Sequence, residues 1–307
     1  MTGLFVLTLR ELRARKVVAG LFAVTTLVWV VLALALQLDV VDGSLAGARV
    51  LGQEAGDDAF MERRVVVDEA TGEPVRDAEG DLVTETELAF GDSPLESLVF
   101  RAQAFASGAA YWLGIFLALF ATGGLVAALT ERGQMDVALA KPLTRSQVLA
   151  ARLFGVWAVM LALSVYLLGS VWLVMSIKTG VWNPRFLLAI GVVWAMFVVV
   201  YGVVTLVGVW SGSGPLSLVV TLGLLFVSLV LALPELEGDW EVIGRTWRPV
   251  VQGAYHALPK FPVVGDGLVP QLATGSPVAT LYPFLSSLAF GAACYAAAFA
   301  LFVRRDL

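Results

Sequence analysis

The sequence predicts an all-α polytopic membrane protein: six transmembrane helices, both termini cytoplasmic, and a small extracytoplasmic insert of β-hairpin or meander character between helices 1 and 2. Hydrophobic residues make up 59% of the 307 and charged residues 15%, whereas soluble domains are about a quarter charged. Mean hydropathy is +0.85. The charges are clustered, and the stretches between them exceed the roughly 20 apolar residues that a helix needs to cross a bilayer. This composition excludes a soluble enzyme, a disordered chain and a nucleic-acid binder.

Each span is read as a charge-free run, because Lys, Arg or Asp at a helix centre costs roughly 2.5–3.5 kcal/mol on insertion scales. Residues 1–16 carry Arg10, Arg13, Arg15 and Lys16 and lead into the first run, 17–38. Ala33-Leu-Ala35 after an apolar run also fits a cleaved leader, which would leave five spans and an outside N-terminus. The length of the run favours an uncleaved span. The second span is placed at 110–129, the third at 153–177. The run from Phe186 to Pro234 is too long for one helix, and Ser211-Gly-Ser-Gly-Pro215 breaks it into 186–210 and 215–233. Pro270, Pro277 and Pro283 punctuate the approach to the last span, 282–303, which leaves a tail at 304–307. Trp112, Trp172, Trp182 and Trp210 fall near span ends, where amphipathic rings favour the interface.

Lys and Arg set the orientation. Segments 1–16, 130–152 and 304–307 fall on one side of a six-span chain and carry ten basic against four acidic residues. Segment 39–101 carries five basic against sixteen acidic. The basic side is cytoplasmic. Within 39–101, short β-branched runs alternate with turn clusters, as in a hairpin or meander. Its acidity suits either a docking surface for an extracytoplasmic partner or a solvated face. Segment 234–281 is half apolar. Trp240, Val242, Ile243, Trp247, Val250, Val251, Tyr255 and Leu258 recur at loosely helical spacing, which predicts an interfacial or re-entrant helix. His256, the one histidine, reads there as a packing residue.

Several chemistries lack their residues. The single cysteine, Cys294, forms no intrachain disulfide, and one His with one Cys builds no zinc site. No Asp, Glu, Lys, Arg or His lies in any expected span, which weighs against a proton-coupled carrier; Na⁺ coupling through carbonyls and hydroxyls stays open. No GxxxxGK[ST] loop is present, so any ATP-driven work needs another chain. On the last span, Ala289, Ala293 and Ala297 with Ala292, Ala296 and Ala300 give small-xxx-small spacing that permits close helix packing, within the subunit or across a dimer, the former being favoured.

The most informative segment is 130–152. Met135, Leu139 and Leu143 are apolar at near-helical spacing, framed by Glu131, Arg132, Asp136 and Lys141. Pro142 ends a first short helix. Thr144 is placed to cap the next, with Gln147 at the reciprocal capping-box position. A helix–turn–helix with an apolar ridge suits binding in a groove.

Glu131-Arg-Gly-Gln-Met-Asp-Val-Ala-Leu-Ala-Lys-Pro-Leu-Thr-Arg145 resembles the cytoplasmic segment after the second span in permease subunits of ABC transporters of the ABC-2 type. Gln134 stands where that family often has Thr or Ser. Leu9–Lys16 and Phe302–Leu307 resemble the family's opening and ending. The resemblance covers the membrane framework but not the acidic segment. It implies a permease without its own enzyme activity, in a bacterial or archaeal cytoplasmic membrane. Such a permease pairs with a second, identical or homologous permease and with two ATP-binding subunits that hold the ATP and Mg. It implies that Glu131, Arg132, Gly133, Met135, Asp136, Leu139, Pro142 and Leu143 form a coupling loop in a groove of the ATPase. It also implies a cytoplasmic amphipathic helix within 1–16. Arg10, Arg13, Arg15 and Lys16 on that helix suit lipid headgroups as well as ATPase contact. Export is the expected direction, and the substrate is not legible. The family's copper-enzyme-maturation branch has a similar layout, but no Met, His or Cys cluster supports metal handling. Two other readings stay open: an ATPase-linked scaffold acting on an extracytoplasmic protein, and a secondary carrier.

Overall fold

The computed structural model describes residues 16–41, 44–50, 53–54, 61–65, 84–88, 93–130, 144–236 and 247–304. The chain is a helical, multi-pass membrane protein: among the described residues, five helices are long and apolar enough to cross a bilayer. Helix α1 (Lys16–Ala35) gives way to strand β1 (Leu36–Val41), so the helix stops before Leu38. The Lys178 ammonium donates to the carbonyl of Ala33, one of the acceptors that a helix C-terminus leaves open. Strand β1 pairs antiparallel with β2 (Ser44–Val50), and β2 with β3 (Gln53–Glu54). A separate antiparallel pair joins β4 (Met61–Val65) and β5 (Thr84–Leu88).

Helix α2 spans Leu95–Ala127. It begins well before Ala110, inside the segment expected to be wholly extracytoplasmic. Ser93 caps it in extended conformation, its hydroxyl accepting from the Glu96 amide at 3.2 Å. The helix widens into a π-turn at Ala110–Gly114, resumes at Ile115–Thr122 and Gly124–Ala127, and tightens into a 3₁₀ turn at Ala128–Thr130. Helix α3 (Arg145–Thr179) is started by the capping box read from the sequence. Thr144 Oγ1 accepts from the Gln147 amide, and the Gln147 side chain accepts from the Thr144 amide. Gly180, in the left-handed region at φ 74°, ends it. At 35 residues it exceeds what the hydrocarbon needs. A 3₁₀ turn at Pro184–Leu187 leads into α4 (Leu188–Ser211). The breaker cluster then acts: Gly212 takes φ 68°, and α5 runs Gly214–Leu236. Helix α6 (Arg248–Ala257) opens an outer hairpin. The hairpin continues through Phe261–Val263, a π-turn at Val264–Leu268, and α7 (Val269–Thr274). Helix α8 (Tyr282–Arg304) closes the described chain.

Helix α4 lies at the centre. It is apolar on nearly every face, as suits a helix enclosed by protein or lipid. Met196, Phe197, Val199, Val200, Tyr201 and Val204 are all buried. Its principal neighbour is α8, and glycine makes that contact possible. A Cβ on Gly291 would stand 2.9 Å from the Val199 Cα, and one on Gly202 would stand 3.2 Å from the Gly291 carbonyl oxygen. The backbones therefore touch, and dispersion contacts replace the hydrophobic drive that lipid cannot supply. Tyr295 donates to the Val198 carbonyl at 2.7 Å, and Trp194 ties α4 to the Trp157 carbonyl of α3 at 2.9 Å.

This packing corrects one expectation. The alanines at 289, 292, 293, 296, 297 and 300 are exposed, and α8 presents Ser287, Gly291, Cys294, Ala298 and Phe302 inward instead. Small-residue spacing occurs on two faces of this helix, and the face bearing the glycine comes closest to α4.

Gly291→Val is expected to destabilise the bundle by about 1–3 kcal/mol, the usual range for overpacking. The check is a lowered melting temperature of the purified protein in detergent. Gly223→Ala, where a Cβ meets nothing within 4 Å, should leave it unchanged.

Candidate functional site

Hydrogen bonds sort the helix ends into two layers. One layer holds the end of α2, the start of α3 and the α4–α5 turn. Arg152, the last residue of the expected cytoplasmic segment, is buried, and its Nε donates to the Leu125 carbonyl at 3.3 Å. A guanidinium at the negative end of the α2 dipole is favourably placed. Tyr201 donates from α4 to the Thr122 carbonyl at 3.2 Å. Gly123 and Gly124 let α5 in. A Cβ on Gly123 would lie 2.5 Å from Leu218 Cδ2, and one on Gly214 would lie 2.9 Å from the Gly124 Cα. The α2–α3 pair is thus held at both sides of residues 131–143.

The opposite layer holds the end of α1, the start of α2, the α3–α4 connection and the outer hairpin. Asn183 is buried and donates to Gln103 Oε1 at 2.9 Å and to the Ala273 carbonyl at 2.7 Å, joining three elements. Gln103 Nε2 is buried with no partner among the described residues. Arg185 donates to the Gly275 carbonyl at 2.7 Å. Trp172 Nε1 donates to the Asn183 carbonyl at 2.9 Å, and its ring meets Trp182 edge-on. Trp182, Trp210 and Trp247 are exposed.

The hairpin is fastened to the π-turn of α2. Tyr111 is fully buried and donates to the Phe261 carbonyl at 2.6 Å, and Trp112 Nε1 donates to Asp266 Oδ1 at 3.2 Å. Gly265 permits this fit, since a Cβ there would stand 2.6 Å from Tyr111 Cε1. Two π-turns therefore face one another.

Lys260 precedes this contact and is only 1% exposed. Its ammonium donates to Ser286 Oγ at 3.1 Å and stands 4.9 Å from the ring centroids of Tyr255 and Tyr282. Its amide donates to Ser287 Oγ at 2.9 Å. Cation–π contact and hydroxyl donation offset part of the cost of burying the charge. His256 is exposed, with Nδ1 3.2 Å from the Tyr282 hydroxyl. Among the described residues no group of His, Cys, Asp and Glu is gathered that would hold a metal.

Between the layers lies an apolar cavity of about 170 Å³, bounded by α1, α2, α3 and α4. Glu131, Arg132, Gly133, Met135, Asp136, Leu139, Pro142 and Leu143, the residues expected to couple to an ATPase, lie outside the described residues, as do Arg10, Arg13 and Arg15. Lys16 opens α1. The structure thus fixes the frame on both sides of residues 131–143. The buried Arg152, Asn183 and Lys260 were not singled out from the sequence. A lone polar residue beside an apolar run carries no mark of which helix will cover it. No family model, curated protein or solved structure matches this chain.

Tyr111→Phe should leave the Phe261 carbonyl buried without its donor, a cost of about 1–3 kcal/mol. The expected result is faster hydrogen–deuterium exchange across 261–274, with exchange in α4 unchanged.

Proposed function

We infer that this chain is the membrane-embedded permease subunit of an ATP-driven transporter of the ABC-2 type, working as an exporter. It crosses the bilayer six times with both termini in the cytoplasm. A separate pair of ATP-binding subunits supplies ATP, Mg and hydrolysis. A second permease, the same chain or a homologous one, completes the pathway.

The observation that carries this reading is the string Glu131–Arg145, bracketed by two long apolar helices. Its flanks suit force transfer. Residues entering it are braced by Arg152 on Leu125 and by Gly214 against Gly124, and the helix leaving it is capped at Thr144. A displacement of the segment would reach α2, α3 and the α4–α5 turn together. The six-span count is supported by α1, whose 20 residues reach about 30 Å at 1.5 Å per residue. The orientation is supported by the two layers. Arg145, Arg152 and Arg304 belong to ends on the coupling side, while the acidic segment 39–101 joins α1 to α2 on the other.

The size of that acidic segment favours one second reading, a scaffold of the same ATP-driven kind that acts on an extracytoplasmic protein and moves no solute. The two readings differ in whether ATP use follows a transported molecule or a bound protein.

Glu131→Ala and Met135→Asp should insert and fold as the parent does, yet abolish the permease's stimulation of ATP turnover by its co-purified ATPase. Wild-type stimulation by both variants, with the ATPase bound, would overturn the coupling assignment.

A further inference from the structure

We propose that the cavity between α1 and α2 holds a mid-chain segment of one acyl chain of a bilayer phospholipid as a resident ligand. The cavity lies within the long helices that line it: Ala106–Ala118 on α2 and Met160–Leu167 on α3 are near mid-length, and Val193 and Phe197 are in the first half of α4. Its floor is buried, made by Met160, Ala118, Val193 and Phe197. Its mouth is not. Val24 and Val28 of α1 are 47% and 44% exposed, and Leu113 and Leu117 of α2 are 66% and 45% exposed. The opening therefore faces sideways, between α1 and α2, at the depth of the hydrocarbon.

The lining selects the occupant. The polar side chains on it are the hydroxyls of Thr25 and Ser164, and no lining residue is ionisable. A headgroup would lose its hydration and gain no counter-charge, so only the chain of a lipid enters. Water has the same difficulty, since an apolar cavity of about 150 Å³ stays dry and takes a hydrocarbon ligand. With lipid tails surrounding the mouth, the nearest hydrocarbon is an acyl chain.

The π-turn shapes the site. Ala110, Leu113 and Gly114 of that turn line the cavity, while Tyr111 and Trp112 of the same turn hold the outer hairpin. π-Bulges recur at functional positions because the widened turn re-aims its side chains. At Gly114 an added Cβ meets nothing within 4 Å. Helix α1 is held to α3 by Tyr166, whose hydroxyl lies 3.0 Å from Thr26 Oγ1 and whose ring stacks on Phe22 at 4.7 Å. On the α2 side the cavity intervenes, and a bound chain completes the packing there. The site goes beyond the ATP-driven reading and does not rest on it.

The test uses the full chain in vesicles of phosphatidylcholine carrying a mid-chain diazirine, with labelled residues mapped by mass spectrometry after illumination. The expected result is label on the buried floor, at Met160, Val193 and Phe197, besides the general label on outward residues such as Phe226. Gly114→Leu and Ser164→Leu, each filling the cavity from a different wall, should lose the floor label and keep the label at Phe226. Gly191→Leu, on an exposed face of α4, should keep both. Label confined to outward residues, or floor label that survives both filling variants, would overturn the proposal.

Discussion

Hydrocarbon offers no water to complete a hydrogen bond, so a polar group in these helices is costly unless a partner lies within reach in the chain. Much of the architecture follows from that constraint. Thr122, Thr205 and Thr221 return their hydroxyls to the carbonyl four residues earlier, which lets them sit in buried helix surfaces. Tyrosines reach further. Tyr111, Tyr201 and Tyr295 each donate to a carbonyl of another element, and those three bonds join α2 to the outer hairpin, α4 to α2, and α8 to α4. Glycines make the bonds reachable, bringing backbones together at Gly202, Gly214 and Gly291 and admitting the side chains of Leu218 and Tyr111 at Gly123 and Gly265. Neither device works alone: the close approach sets the distance, and the hydroxyl sets the register.

The same constraint explains how one bundle can have two differently built ends. The layer beside residues 131–143 is held by Arg152 and Tyr201 on carbonyls of α2 and by glycine contacts. The outer layer is held by the Asn183–Gln103–Ala273 junction, the Lys260 pocket and the paired π-turns. A push at the first end meets α2, which is interrupted at Gly123 and widened at Ala110–Gly114 before it reaches the hairpin. Motion entering near Thr130 therefore passes two irregular turns, and the second of them lines the cavity. On the permease reading, this is the physical route from the cytoplasmic loop to the outer face.

Much of this frame was legible in the sequence where local chemistry decides the outcome. The helical membrane class follows from charge-free runs. The capping of α3 follows from Thr144 and Gln147, and the break after Ser211 from Gly212 and its neighbours. The start of α2 was missed because Glu96 and Arg101 interrupt the apolar run, although Ser93-Pro94 with Glu96 carries a start signal. The inward face of α8 was missed because alanine and glycine spacings overlap on one helix, and only the partner helix selects between them. The π-turn leaves hydropathy unchanged, so it has no sequence trace, and the cavity it shapes has none either. Burial of Arg152, Asn183 and Lys260 depends on elements that are distant along the chain. The coupling role expected of residues 131–143 rests on a resemblance, and the structure describes only their two flanks.

The central claim is that energy reaches this bundle from a separate ATP-hydrolysing chain. The most direct measurement is gentle extraction of the tagged protein from native membranes, followed by mass spectrometry of what accompanies it. The account predicts a soluble P-loop ATPase at about one copy per permease, the stoichiometry implied by the resemblance at Glu131–Arg145. A protein that purifies alone, or with membrane proteins only, under conditions that keep a known ATP-driven transporter intact, would contradict it.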